Sequence, residues 1–185
     1  MLEIELFPEI NETLTDISLV KYPATESTWL CFSKDNVKTY IFSDNEKQII
    51  TGAVLIPNQR IYRRDGENEY YVFFSEDTIR IIAEQYFNSF KNKSFTLEHS
   101  YNTNDVTVIE SWIVENPDMD KSTALGLELS KGTWVMSAKV NSKDLWDRIK
   151  SGEFNGFSVA GLFSTDSVEN QIIKEAEELI ASKND

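Results

Sequence analysis

Three residues of this chain have the types and the setting to do chemistry together: Ser158, His99 and Glu110. His99 is the only histidine and follows Phe95-Thr-Leu-Glu. Ser158 lies in Asn155-Gly-Phe-Ser-Val-Ala-Gly-Leu-Phe163, an apolar run flanked by glycines. Glu110 is the one carboxylate inside Val106-Thr-Val-Ile-Glu-Ser-Trp-Ile-Val114. A serine hydroxyl is a weak nucleophile until a base takes its proton, and imidazole is the usual base near neutral pH. A carboxylate behind the imidazole fixes its tautomer and stabilises the imidazolium. If the three meet, the chemistry is acyl transfer to serine followed by hydrolysis.

Each residue also has a plainer reading. A single histidine beside a loop is often structural. A serine in an apolar strand can simply bond a nearby carbonyl, and Gly-Phe-Ser-Val-Ala-Gly is not the Gly-x-Ser-x-Gly elbow of the α/β-hydrolases. Strict alternation puts Glu110 on the face of Val106, Val108, Trp112 and Val114, with Ser111 opposite. An ionised carboxylate there is costly unless paired. Two settings would relieve it: a histidine partner, or a sheet edge where it reaches water. Arg60, Arg63 and Arg64 form a basic loop in an acidic chain, suited to an acidic partner or to plain solvation.

The elements that must position these residues are mostly strands. Leu2, Ile4 and Leu6 alternate with Glu3 and Glu5 as a half-buried strand. Asp16 to Val20 reads as a brief strand entering a turn at Pro23. Thr28–Ser33 and Lys38–Ser43 read as a hairpin turning at Lys34–Asn36, with another turn at Ser43–Glu46. A longer strand ends at Pro57, with Gly52 marking a bulge or a close approach. Glu69–Phe74, Ser94–His99, Val106–Glu115 and Trp134–Val140 follow, and Phe154–Phe163 closes the series. Ser75 caps a helix running to about Phe90, with Glu76 and Asp77 at its positive end. Asn141 or Ser142 caps a short helix, Lys143–Lys150, and Gly152 ends it. A last amphipathic helix follows Ser164. The count is about eight to ten short strands. The expected fold is α+β: a small, mostly antiparallel β-barrel or strongly bent sheet flanked by about three helices. Residues 1–163 are expected to form that domain, and 164–185 a C-terminal amphipathic helix and tail.

Bulk properties narrow the function. The chain has 185 residues and a net charge of −13, against a phosphate backbone or an anionic membrane as partner. Cys31 is its one cysteine, so no internal disulfide forms, which fits a reducing compartment. One His and one Cys cannot build an ordinary zinc site; carboxylate-only calcium or magnesium sites stay open, but no loop shows the calcium-loop spacing, and no cofactor or metal is expected. No apolar run reaches ~18 residues, and the first residues lack signal-peptide character. The expectation is a soluble intracellular protein without nucleic-acid or membrane partners.

Several motifs carry a likeness in order. They are Gly52-Ala-Val-Leu-Ile-Pro57, Ile61-Tyr-Arg-Arg-Asp65, Tyr70-Tyr-Val-Phe-Phe74, Glu98-His99 and Val108-Ile-Glu-Ser-Trp-Ile-Val114. They continue with Lys131-Gly-Thr-Trp134, Leu145-Trp146, Ile149-Lys-Ser-Gly152 and Gly156-Phe-Ser-Val-Ala-Gly-Leu-Phe163. Together they resemble the XkdF-like family of tailed-phage serine proteases, over about Ile17 to Phe163. That family is related to the prohead maturation proteases and more distantly to herpesvirus assemblin. The resemblance implies a compact β-barrel flanked by helices, with His99 as base and Ser158 as nucleophile. Assemblin's second histidine has no counterpart here, so Glu110 is the candidate third member, with Asp105 and Asp144 behind it. Ala160 stands where relatives often carry an acid. The implied function is a prohead maturation serine endopeptidase, acting in the host cytoplasm inside the assembling procapsid. Its implied substrates are the phage scaffolding protein and segments of the major capsid protein. The alternative is a non-enzymatic head protein on the same scaffold, which binds rather than cuts. A homo-oligomer is compatible with both. The protease reading requires Ser158 Oγ about 3 Å from a ring nitrogen of His99.

Overall fold

A computed structural model describes residues 2–9, 14–23, 30–31, 47–89 and 95–181 of the chain. Its strands are β1 (Leu2–Glu5), β2 (Phe7–Pro8), β3 (Leu14–Val20), β4 (Leu30–Cys31), β5 (Ile49–Leu55), β6 (Ile61–Asp65), β7 (Asn68–Phe73), β8 (Phe95–Leu97), β9 (Tyr101–Thr103), β10 (Val106–Ile113), β11 (Trp134–Val140), β12 (Gly156–Gly161) and β13 (Phe163–Ser164). The helices are α1 (Glu76–Asn88), α2 (Lys121–Ala124), α3 (Lys143–Lys150) and α4 (Val168–Ala181). The hairpin expected at Thr28–Ser43 lies outside the described residues, apart from β4, as do the turn at Ser43–Glu46, the helix end at Phe90 and the tail after 181.

The α+β class is as expected, but the sheets stay open. Two have four strands, in the orders β10-β11-β5-β4 and β12-β3-β8-β9; smaller ones run β1-β7-β6 and β13-β2. β12 and β5 run close together, yet no hydrogen-bonded ladder joins them among the described residues. None of the described sheets closes into a barrel, one of the two forms expected alongside a strongly bent sheet. Two ladders are parallel, β1 with β7 and β3 with β8, which local hairpins cannot make.

One apolar cluster joins these layers. Ile17 and Leu19 of β3 are buried with Ile50 and Val54 of β5, Ile79, Ile82 and Tyr86 of α1, and Trp134 and Met136 of β11. Trp146 of α3 and Phe157 of β12 complete the contact between sheet and helices. A smaller cluster holds Ala53, Val114, Leu127, Leu129 and Val135. The helices start where their caps dictate: Ser75 Oγ accepts the Thr78 N–H at 3.3 Å, and Ser142 Oγ accepts the Leu145 N–H at 3.3 Å.

Some elements differ from the sequence reading. Among the described residues α2 is a fourth helix, a single turn in a stretch to which the sequence reading assigned no element. The basic loop is partly strand, since β6 pairs with β7 across a tight turn at Gly66, φ +59. Its arginines are occupied at the surface: Arg60 with Glu3 at 2.7 Å, Arg63 with the Tyr62 carbonyl, Arg64 with the Gly66 carbonyl. Gly52 pairs regularly with Met136; the register shift between β5 and β11 comes later, between Trp134 and Val135.

β3 is the strand on which the site depends, because it lies between β12 and β8. Leu19, at 0% exposure, anchors it in the core. Leu19→Ala is expected to lower unfolding free energy by about 2–5 kcal/mol, measured by urea denaturation. A loss below about 1 kcal/mol would contradict the central place given to β3.

Candidate active site

Ser158 and His99 come together through register. β12 runs antiparallel to β3 with Ser158 opposite Ser18 and Ala160 opposite Asp16. On the other side of β3, Ser18 lies opposite Thr96 of β8. Side chains paired across neighbouring strands share a face, so Ser158, Ser18 and Thr96 form a polar row across three strands. Asp16 stands two residues along β3, on that same face. Ile17 and Leu19, at 0% exposure, point the other way into the core. Gly156 and Ala160 flank Ser158 on its own face, so nothing bulky on β12 stands beside the hydroxyl.

His99 is not on a strand. It sits in the turn between β8 and β9, which folds its ring back over β3 towards β12. Glu98 and His99 have φ +50 and +53, and the Ser100 N–H closes the turn on the Leu97 carbonyl at 3.0 Å. Two successive left-handed residues are the geometry of the tight turns that asparagine and glycine normally fill. Here hydrogen bonds hold it: Glu98 N–H to the Leu19 carbonyl at 3.0 Å, Lys21 N–H to the Glu98 carboxylate at 2.7 Å, and His99 N–H to Ser18 Oγ at 2.9 Å.

The ring meets both neighbours. Nε2 lies 2.9 Å from Ser158 Oγ, and Nδ1 lies 3.4 Å from Asp16 Oδ1. For Ser158 to donate to Nε2, the neutral imidazole must carry its proton on Nδ1, the nitrogen that faces the carboxylate. Asp16 Oδ1 also accepts the Thr96 hydroxyl at 2.7 Å, which fixes the carboxylate. The Asp16–His99 contact is longer than an ideal hydrogen bond. The His99 side chain is 35% exposed and Asp16 20%, so the group opens to solvent on one side. It can carry a proton from the serine hydroxyl to an imidazole backed by an acid.

Glu110 does not take the place expected for it. It lies in the other four-stranded sheet, ion-paired with Lys121. The reason is a β-bulge: Val108 pairs with Ala138, but Glu110 pairs with Ser137. The extra residue, Ile109, reverses the alternation. Val106 and Val108 stay with the main cluster, whereas Glu110 and Trp112 turn to the opposite face. Asp105 bonds through its backbone to Thr103 and Asn141, Asp144 begins α3, and Ser111 accepts the Trp134 indole N–H at 2.8 Å. Asp16, Ser18 and Thr96 were not singled out from the sequence. The available signal was the two-residue spacing of Asp16 and Ser18, polar on one side of a strand whose other side is Ile17 and Leu19.

Hydrogen bonds from Lys121 and then Ser137 hold the Glu110 carboxyl below its usual pKa despite some desolvation. A carboxyl whose pKa is lower folded than unfolded stabilises the fold above the unfolded pKa and loses that contribution as pH falls through the folded one. The Glu110 side chain is 46% exposed, so solvent screens the pair. Glu110→Gln should cost at most about 1 kcal/mol at neutral pH, with the difference from wild type vanishing in acid. Urea unfolding at both pH values checks this; a difference that grows on acidification would contradict the assignment.

Comparison with known proteins adds a family. The model of a family described as “Putative phage serine protease XkdF” matches residues 36–169, well over half the chain. In Bacillus subtilis (strain 168), the “Phage-like element PBSX protein XkdF” is 23% identical over 170 residues, covering 86% of this chain and 56% of that protein. The “Uncharacterized protein YqbD” of the same organism is 22% identical over 163 residues, covering 84% of this chain and 46% of that one. The chain thus spans about half the length of these curated relatives. No solved structure matches.

Proposed function

The chain belongs to the family of the phage protein XkdF, and from that premise we propose that it is a serine endopeptidase of phage head maturation. The observation that carries the reading is the 2.9 Å contact between Ser158 Oγ and His99 Nε2, on a chain with one histidine to offer. Ser158 Oγ attacks the carbonyl carbon of a peptide bond while its proton passes to His99 Nε2. The tetrahedral intermediate collapses, the C–N bond breaks, and His99 returns the proton to the leaving amine. Water then enters, gives a proton to His99, and displaces the acyl group from Ser158, which regains its proton. Asp16 keeps the imidazole in the tautomer that accepts from serine and stabilises the imidazolium that forms.

The substrates proposed are the phage scaffolding protein and segments of the major capsid protein, cut within the assembling procapsid. This reading gives Asp16, not Glu110, the acid's role. Glu110 remains an ion-pair partner of Lys121 on another sheet.

Co-expression with a phage scaffolding protein tests the reading, with fragments followed on gels and by mass spectrometry. Ser158→Ala and His99→Ala should each abolish processing, as losses of ~10⁴-fold or more would. Asp16→Asn should slow it about 10²–10⁴-fold, while Glu110→Gln processes like wild type. Equal processing by wild type, Ser158→Ala and His99→Ala would overturn the assignment. A loss in Glu110→Gln without one in Asp16→Asn would return the acid's role to Glu110.

A further inference from the structure

The turn that carries His99 is unfavourable on its own terms. Glu98 and His99, with φ +50 and +53, both occupy the left-handed region that side chains with a Cβ rarely adopt. One buried side chain meets it from below. Ser18, at 0% exposure, accepts the His99 N–H through Oγ at 2.9 Å. Its own hydroxyl proton is directed to the Thr96 carbonyl at 3.1 Å, with the Leu19 carbonyl farther off at 3.4 Å. The hydroxyl thus accepts from the turn while a backbone carbonyl takes its proton, Thr96 being the nearer of the two. The same residue stands opposite Ser158 on β12 and opposite Thr96 on β8. Thr96 in turn donates its hydroxyl to Asp16.

We propose that Ser18 is a positioning residue for the serine–histidine pair, an inference that rests on the function proposed above. Its hydroxyl ties the backbone of His99 to the strand beside the nucleophile. The distance from Nε2 to Ser158 Oγ is thereby set by the register of β3 and β12 and not by the turn alone. Thr96 extends the same network to the acid, so backbone and ring of His99 are both referenced to β3. Without the Ser18 oxygen, the His99 N–H loses its acceptor and the turn can relax towards a commoner backbone, carrying the ring away from Ser158.

The test uses the full chain with Ser18→Ala and Ser18→Thr, each checked for folding by circular dichroism. Two quantities are read: the rate at which a fluorophosphonate modifies Ser158, and the NMR signals of His99, whose imidazole needs no assignment among other histidines. Ser18→Ala should react about 100-fold more slowly, the scale of loss from misplacing a reacting group by about 1 Å. It should also lose hydrogen-exchange protection at the His99 amide. Ser18→Thr, which keeps the hydroxyl, should recover most of the rate and the protection. Wild-type reactivity in Ser18→Ala, or slowing with unchanged His99 signals, would overturn the proposal. If Ser18→Ala does not fold, Ser18→Cys, similar in size with a weaker acceptor, should show both changes in smaller measure, and wild-type values there would overturn it. If the wild type itself does not react, the protease reading fails. The His99 amide then decides the positioning role: lost protection in Ser18→Ala supports it, and retained protection overturns it.

Discussion

Two consecutive residues with side chains must be kept in left-handed backbone for the site to exist. Glu98 and His99 adopt that conformation at a cost of roughly 1–2 kcal/mol each. Such a turn persists only where its surroundings over-determine it. Here β3 and the residue just past its end supply the restraint: the Ser18 hydroxyl, the Leu19 carbonyl and the Lys21 amide each take a bond from the turn or give one to it. The restraint is backed from the far side of the same strand, where Ile17 and Leu19 are fully buried and anchor β3 between its two neighbours.

From that restraint the chemistry follows by geometry. β12 brings Ser158 up on one side of β3, and β8 delivers the turn on the other. His99 bridges the width of one strand, reaching Ser158 with Nε2 while Nδ1 faces Asp16 on the strand it crosses. The three members of the proposed group therefore come from β12, from β3 and from the turn that follows β8, all within one open sheet. The second four-stranded sheet contributes packing, through Trp134 and Met136, and its own surface ion pair at Glu110. A closed barrel is not needed to hold the group, because all its members hang from one sheet.

Much of this could be read from the chain, and what could not has physical causes. Helices α1 and α3 were visible through Ser75 and Ser142, whose caps bond as the sequence implies. α2 was not, because four residues are too few to show a period. His99 and Ser158 stood out as the single histidine and a serine in a glycine-flanked apolar run, each with a plainer reading, and it was the family resemblance that paired them. Asp16 was hidden by distance along the chain: it lies 83 residues from His99 and is brought there by a parallel ladder that no local pattern announces. Glu110 was misplaced because alternation assumes an unbroken strand. One bulged residue between Val108 and Glu110 turns every later side chain of β10 to the other face. The sequence left a small barrel and a strongly bent sheet both open; of these the barrel does not form, and no ladder joins β5 to β12 among the described residues.

The central claim is that His99 activates Ser158, and one measurement addresses it directly. With a single histidine in the chain, its imidazole titration can be followed by NMR, while the rate of Ser158 modification by a fluorophosphonate is measured across the same pH range. If His99 is the base, reactivity rises with pH along the curve by which the imidazole loses its proton, and the two midpoints coincide. A rate that stays flat through the His99 titration, or that follows an ionisation at another pH, would contradict the account.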